Sequence, residues 1–219
     1  EIMLKGFPVI KVKLGAGMGQ DVDSIRQIRA AVGMDIPIRI DANQAWSIDE
    51  AIQILKALEP YRIQHCEAPI RKGQFAALAN IRRNSPIPIM ADESCCTPFD
   101  AEQLIQFQSC DSINIKLGKS AGLFAALKII ELAQAAGLPL QVGGFLESRL
   151  GFTAAAHLAL SSPQEVYCDF DTPLMFEEDC VQGGIQYGAN GQIQVPEQIG
   201  LGASYEADYL HQLPNQIIE

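Results

Sequence analysis

Asp41, Glu67 and Asp92 recur at intervals of 26 and 25 residues, and Lys116 follows 24 residues later. Each closes a short run of strand-forming residues: PIRIDAN, IQHCEAP, PIPIMADE and SINIKLG. Three carboxylates gathered at one place repel each other unless a cation sits between them. Ligation by carboxylate oxygens suits a hard divalent ion, Mg2+ first and Mn2+ second. No Cys or His joins the set, which argues against zinc. In IKVKL, Lys11 and Lys13 stand two apart, so on a strand both point the same way, between apolar Ile10, Val12 and Leu14. Two close ammonium groups depress each other's pKa, and burial adds to this. A lysine brought toward neutrality is a general base. With Lys116 on the far side of a shared site, a substrate has one base on each face. A proton α to a carboxylate becomes removable when a divalent cation holds the enediolate. One lysine removes it, the other returns it from the opposite side, and the stereocentre inverts. Near the end of the chain, EVYCDFDTPLMF sets Asp169 and Asp171 on one side of a strand. Buried carboxylates need a positive partner. The alternative is that Asp171 caps a turn at Thr172-Pro173 while Asp169 bonds to backbone.

Meeting at one site constrains the fold. Seven β-branched runs cover residues 8–15, 37–43, 63–69, 86–93, 112–118, 138–144 and 166–171. Segments of helical period alternate with them, among them residues 21–33, 47–60 and 121–137. The second carries a capping box, Ser47 with Glu50, and stops at Pro60; the third ends on Gly137, a plausible C-cap. Repeated βα units give a parallel sheet, either a barrel or a doubly wound sheet. Almost every strand ends in a charged residue, and only a closed barrel brings all those ends to one mouth. A full barrel needs eight strands. The chain opens on EIMLKGFP, which reads as the last turn of a helix already in progress, so the sequence is expected to start partway through a larger protein. After Asp171 the Gly- and Gln-rich GGIQYGANGQIQVPEQIGLG reads as a short hairpin or irregular cap, with Gly-Ala-Asn-Gly as a turn signal.

Composition narrows the class. The chain is 48% hydrophobic and 19% charged over 219 residues, enough for a sizeable core in one main domain. A net charge of −10, with no run of Lys or Arg, argues against nucleic acid. No apolar run is long enough to span a bilayer, and no basic-then-apolar signal segment opens the chain. The six cysteines form no CxxC pair and read as reduced thiols of a cytoplasmic protein. A homo-oligomer is compatible with all of this. KLGAGMGQDVD matches a dinucleotide-binding glycine loop only in part, and is set aside.

KVK, DANQAW, EAP, ADES, NIKLGK and a GG-x-x-ES turn, in this order, resemble the muconate-lactonizing (mandelate racemase/muconate lactonizing enzyme-like) subgroup of the enolase superfamily. The resemblance covers essentially the whole chain. It implies a TIM-like (β/α)7β barrel with an α+β cap, of which the first strand and most of the cap lie outside this sequence. Residues 1–175 would then be strands two to eight of the barrel, and 176–219 the C-terminal piece of the cap. It implies Lys13 and Lys116 as the two bases and Asp41, Glu67 and Asp92 as Mg2+ ligands. Lys11, Gly144 and Leu146 fall at substrate-binding positions. The D-x-D of Asp169 and Asp171 resembles that of dipeptide epimerases of the L-Ala-D/L-Glu type, where it binds the free α-ammonium of a dipeptide. N-acylamino acid racemase, o-succinylbenzoate synthase and muconate cycloisomerase are the near rivals, and none of their substrates needs an ammonium clamp. An inactive truncated barrel is the other alternative. Glu147 and Arg149 fall at the mouth by position, to touch substrate or to pair with each other. Glu93 and Asn43 are expected to support the neighbouring acids, and Trp46 to wall the site or pack its loop. His65, His157 and His211 are scattered, and His157 is expected to be structural.

Overall fold

A computed structural model of the protein describes residues 6–214. The helical turn read from the opening EIMLK falls on residues 1–5, outside those described. Seven parallel strands follow one another: β1 (Ile10–Lys13), β2 (Ile38–Asp41), β3 (Ile63–Glu67), β4 (Ile89–Ala91), β5 (Ser112–Lys116), β6 (Leu140–Gly143) and β7 (Val166–Cys168). Six helices alternate with them: α1 (Met18–Val32), α2 (Ile48–Leu58), α3 (Phe75–Asn84), α4 (Pro98–Gln106), α5 (Leu123–Ala135) and α6 (Arg149–Ser161). The order in the sheet is the order in the chain. A doubly wound sheet would reverse direction partway, so the barrel-like alternative holds. Among the described residues β1 and β7 do not pair with each other, yet Lys11 Nζ reaches Asp169 Oδ2 at 3.1 Å. The sheet is therefore curled, with its two edges facing across one interior.

The strands are buried on their outer faces by the helices. Ile38 and Ile40 of β2, Ile89 of β4, Ile113 and Ile115 of β5 and Val142 of β6 join Ile25, Ile54, Leu55, Leu58, Ile81, Leu104, Ile129 and Phe152 in one core. β1 departs from the expectation of a fully buried strand. It lies at the sheet edge, so Val12 and Leu14 are only half-buried.

Local signals explain most boundaries. Ser47 and Glu50 form the expected capping box on α2, and Gly137 adopts φ 68 after α5. A second box, Thr97 with Asp100, opens α4. α1 begins earlier than its acidic residues suggest, because Asp21 serves the preceding loop rather than the helix end. Its carboxylate accepts from the Gly15 and Ala16 N–H groups at 3.0 Å each and from Trp46 Nε1 at 2.9 Å. Buried Asp21 thus ties the β1–α1 loop to the β2–α2 loop, and Trp46 packs that junction. Gly15 sits at φ 121, and a Cβ there would come within 2.7 Å of the Ala45 methyl.

Beyond β7 the chain forms β8 (Val181–Gly183), β9 (Gln186–Tyr187), β10 (Ile193–Gln194), β11 (Ala203–Tyr205) and α7 (Ala207–Gln212). β9 and β10 make the expected hairpin, turning at Asn190 with φ 58, and β8 pairs antiparallel with β11. Arg149 fastens this tail. Its guanidinium contacts Asp179 at 2.5 Å and donates to the carbonyls of Val181, Gly183 and Ile185. All six cysteines are free thiols. No helix among the described residues is long and apolar enough to cross a membrane.

Asp21 yields a stability test. Asp21→Ala strands the buried Trp46 N–H and two backbone N–H groups, so it is expected to cost about 2–3 kcal/mol. The measure is the urea midpoint at constant m-value; an unchanged midpoint would show that the loop junction does not depend on this carboxylate.

Candidate active site

The C-terminal strand ends carry an alternating array of charge. Lys13 Nζ lies 2.5 Å from Asp41 Oδ2. Lys11 Nζ lies 2.7 Å from Glu67 Oε2, 3.1 Å from Asp169 Oδ2 and 3.4 Å from Asp41 Oδ2. Lys116 Nζ lies 2.5 Å from Asp92 Oδ2 and 4.0 Å from Glu67 Oε1. Asp41, Glu67 and Asp92 are all buried, Asp41 and Glu67 as direct partners in the β2–β3 register and Asp92 just past β4. β1 and β5, which carry Lys13 and Lys116, stand four strands apart on the curled sheet. Their side chains differ in access: 60% exposed for Lys13 and 7% for Lys116.

Two expectations need correction. The paired lysines were expected to depress each other's pKa. Burial does disfavour the Lys11 ammonium, but Glu67, Asp169 and Asp41 outweigh it and hold its pKa above the ordinary lysine value. Burial likewise opposes the Lys116 charge, and Asp92 and Glu67 overcome it, so its pKa is also raised. The carboxylates win because they stand in direct contact with each ammonium, at 2.7–3.4 Å from Lys11 and 2.5 Å from Lys116. The three acids were also expected to close on one common point. Among the described residues no group of three or more His, Cys, Asp or Glu side chains stands ready to hold an ion. Each acid is instead neutralised by a lysine. The donor set still fits a hard divalent cation. All three donors are carboxylates, and Glu67 Oε2 and Asp92 Oδ1 are buried without a hydrogen-bond partner. The Lys11 ammonium stands 2.7 Å from Glu67 Oε2, where a cation would compete with it.

Supporting contacts differ from those expected. Asn43 holds Asp41 through its backbone N–H, 2.8 Å from Oδ1, at φ 45. Glu93 makes no hydrogen bond to the neighbouring Asp92, and its Oε2 is buried without a partner. Asn114 Nδ2 donates to Glu67 Oε1 at 2.8 Å. Asn114 was legible only as the Asn of N-x-K, pointing inward two residues before Lys116. Phe145 was also missed, though an aromatic after the glycine pair was its visible signal. Its ring centroid lies 4.8 Å from Lys116 Nζ.

The acid pair stands just beyond β7 rather than within it. The Asp169 N–H still donates to the Val142 carbonyl at 3.0 Å, but Asp171 has helical backbone angles and opens a 3-10 turn over Thr172–Met175. Its side chain makes no capping hydrogen bond, so the turn-cap alternative does not account for it. Burial and the Asp169 carboxylate raise its pKa. Phe170 between them is buried against Phe152, with ring centroids 5.2 Å apart. Gly144 is packed so tightly that a Cβ would lie 2.5 Å from Glu147 Oε2 and 2.6 Å from the Phe152 ring. Leu146 is not gathered with the lysines. It is 74% exposed and lines a separate cleft with Phe176 and Tyr205. Arg149 serves the tail and does not pair with Glu147.

Residues 1–209 match the model of the enolase C-terminal domain-like family. The chain belongs to this family. The enolase C-terminal domain-like chain is 60% identical over 210 residues to a D-Ala-D/L-Ala epimerase of Cytophaga hutchinsonii, covering 96% of this chain and 57% of the relative. It is 40% identical over 201 residues to the L-Ala-D/L-Glu epimerase of Bacillus subtilis, covering 90% of this chain and 55% of the relative. A dipeptide epimerase from Cytophaga hutchinsonii, complexed with Mg and the dipeptide D-Ala-L-Val, superposes with a TM-score of 0.95 at 60% identity, over 97% of this chain and 58% of that one. The chain thus spans just over half the length of the relatives it matches.

Below the mouth, the enolase-like interior is polar. Arg39 donates to Gln64 at 2.7 Å and to Gln141 at 3.4 Å, and lies 4.5 Å from the Tyr167 ring centroid. His65 is buried beside it with Nε2 unpartnered. Burial first, and the Arg39 guanidinium second, push the His65 pKa down to about 4. The folded value lies below the unfolded one, so this stabilisation is complete above about pH 6.5 and is lost as pH falls toward 4. Over that window His65 should remove up to about 3 kcal/mol of stability. Urea titrations should show a flatter pH profile for His65→Gln; parallel profiles would contradict the assignment.

Proposed function

We propose that the protein is a Mg2+-dependent dipeptide epimerase that inverts the α-carbon of the C-terminal residue by a two-lysine proton transfer. The observation that carries this reading is the pair of lysines four strands apart, each 2.5 Å from a different buried acid, with the Asp169–Asp171 pair at the end of β7. The similarity to epimerases of Cytophaga hutchinsonii and Bacillus subtilis, and the Mg and dipeptide bound to one such structure, support it. In this reading residues 1–175 are part of a barrel and 176–219 complete its cap. The free thiols accord with a cytoplasmic protein.

Asp41, Glu67 and Asp92 would hold the cation. When bound, it would neutralise those acids and the substrate carboxylate, which would acidify the α-proton and weaken the negative charge that holds Lys116 protonated. Lys13 or Lys116, as the neutral amine, takes the α-proton onto Nζ; the other, as ammonium, delivers one to the opposite face of the enediolate. Lys11 lies between Glu67 and Asp169 and steadies the substrate end of the array. Gly144 contributes backbone to the substrate wall. Leu146, given its place in the separate cleft, is left out of that wall. Asp169 already has Lys11 as a partner, so Asp171 carries the larger share of the charge offered to the substrate α-ammonium.

A dipeptide library incubated in D2O, scored for α-deuterium, tests the reaction. Lys116→Ala is expected to abolish epimerisation while one epimer still exchanges its α-proton. Unchanged epimerisation would remove the two-base scheme.

Asp171→Asn tests the clamp. Losing one charge-assisted partner is expected to cost about 1.5–3 kcal/mol, a ten- to hundredfold weakening of dipeptide binding. Mg2+ affinity, read by calorimetry, should barely change. Efficient turnover of N-acylated amino acids, with free dipeptides ignored, would place the protein with the N-acylamino acid racemases instead.

A further inference from the structure

NIKLGK holds a second lysine that the proposed reaction does not use. Lys119 lies three residues past β5, where the chain folds back on itself. The N–H groups of Lys119 and Ser120 both donate to the Lys116 carbonyl, at 3.1 and 3.0 Å. This turn returns the side chain to the strand ends, where it is only 6% exposed. Its ammonium donates to the Cys95 carbonyl at 2.6 Å and to the Asn114 carbonyl at 2.8 Å, and stands 3.6 Å from Asp92 Oδ1. Cys95 is itself folded onto the acid, its N–H donating to the Asp92 carbonyl at 2.9 Å. One nitrogen therefore joins the turn after β4, the middle of β5 and the acid between them.

A lone ammonium is expensive to bury and is retained where it is paired and hydrogen-bonded. Lys119 meets that condition with hydrogen bonds to two carbonyls and an ion contact with one carboxylate. Its effect falls on Asp92. Lys116 engages Oδ2 at 2.5 Å and Lys119 faces Oδ1, so the carboxylate is held between two ammonium groups. With Lys116 alone, the carboxylate could rotate about its terminal bond and carry its partner with it. With the other oxygen facing an anchored cation, its plane is set. The opposite face is built differently. There Asp41 Oδ1 accepts from the Asn43 backbone N–H, and the contacts of Lys11 and Lys13 are with Oδ2.

We propose that Lys119 is a positioning residue for one face of the reaction, fixing Asp92 and through it the Nζ of Lys116. The inference rests on the reading of Lys116 as a base. It predicts an asymmetric defect, which a general loss of folding or of the site would not produce.

The test uses the intact protein with Mg2+ and follows α-deuterium uptake in D2O from each C-terminal epimer separately. The epimer served by Lys116 is the one that still exchanges in Lys13→Ala. Lys119→Met should slow exchange of that epimer at least tenfold more than exchange of the other. Lys119→Arg, which keeps a charged donor, should restore most of it. If Lys119→Met does not fold, Lys119→Gln should show the same split. Equal loss on both faces, or no loss, overturns the inference. A crystal structure of the Met or Gln variant supplies a readout without turnover: the Asp92 carboxylate should be rotated and its contact with Lys116 Nζ broken, and an intact contact overturns the inference. If the wild type labels no dipeptide, the epimerase reading falls and the crystallographic result alone decides the role of Lys119.

Discussion

Buried carboxylates must be neutralised, and the rest of this structure follows from how that is done at the strand ends. Asp41, Glu67 and Asp92 are withdrawn from water at the C-terminal ends of three successive strands. Their mutual repulsion is met by Lys13, Lys11 and Lys116, each within 2.7 Å of one of them. The same contacts keep Lys11 and Lys116 protonated, because the acids outweigh the desolvation that burial imposes. Acid and base strength at this site are thus settled jointly. A change of charge at the acids therefore changes the protonation of the lysines beside them.

The scaffold serves this array by anchoring loops rather than by enlarging strands. Asp21 ties together the first two loops of the mouth through Gly15, Ala16 and Trp46. At the other end of the sheet, Arg149 binds the tail, and the Tyr187 hydroxyl donates to the Phe170 carbonyl at 2.5 Å, between Asp169 and Asp171. Charged side chains bonded to backbone do this work at both ends. Such bonds hold a loop without the bulk that would fill the mouth.

The strand ends were readable because chemistry and periodicity coincide there. A carboxylate or ammonium every βα unit marks both an element boundary and an inward direction, and the sheet places all of them on one edge. Capping boxes were readable for the same reason, since Ser47 and Glu50 meet locally. Contacts spanning many residues left no local signal. Nothing near Arg149 in sequence announces Asp179 or the carbonyls of β8, and nothing near Asp21 announces Trp46. The expected fall in lysine basicity failed because it counted like charges along one strand and not the acids on the neighbouring strands. The acid pair was placed inside the last strand because its alternation looks extended, whereas Asp171 already turns with helical angles.

The strand order, running from β1 to β7 without a single exchange, has a consequence for how the chain acquires its shape. Each strand pairs with the one made just before it, so contact order is low for a parallel sheet and assembly can follow synthesis from the ribosome, unit by unit. The bridge from Lys11 to Asp169 is different, separated by 158 residues. It can form only when the whole run of units has been laid down. Curvature of the sheet, and with it the arrangement of charge at the strand ends, is then sealed by the seventh parallel strand.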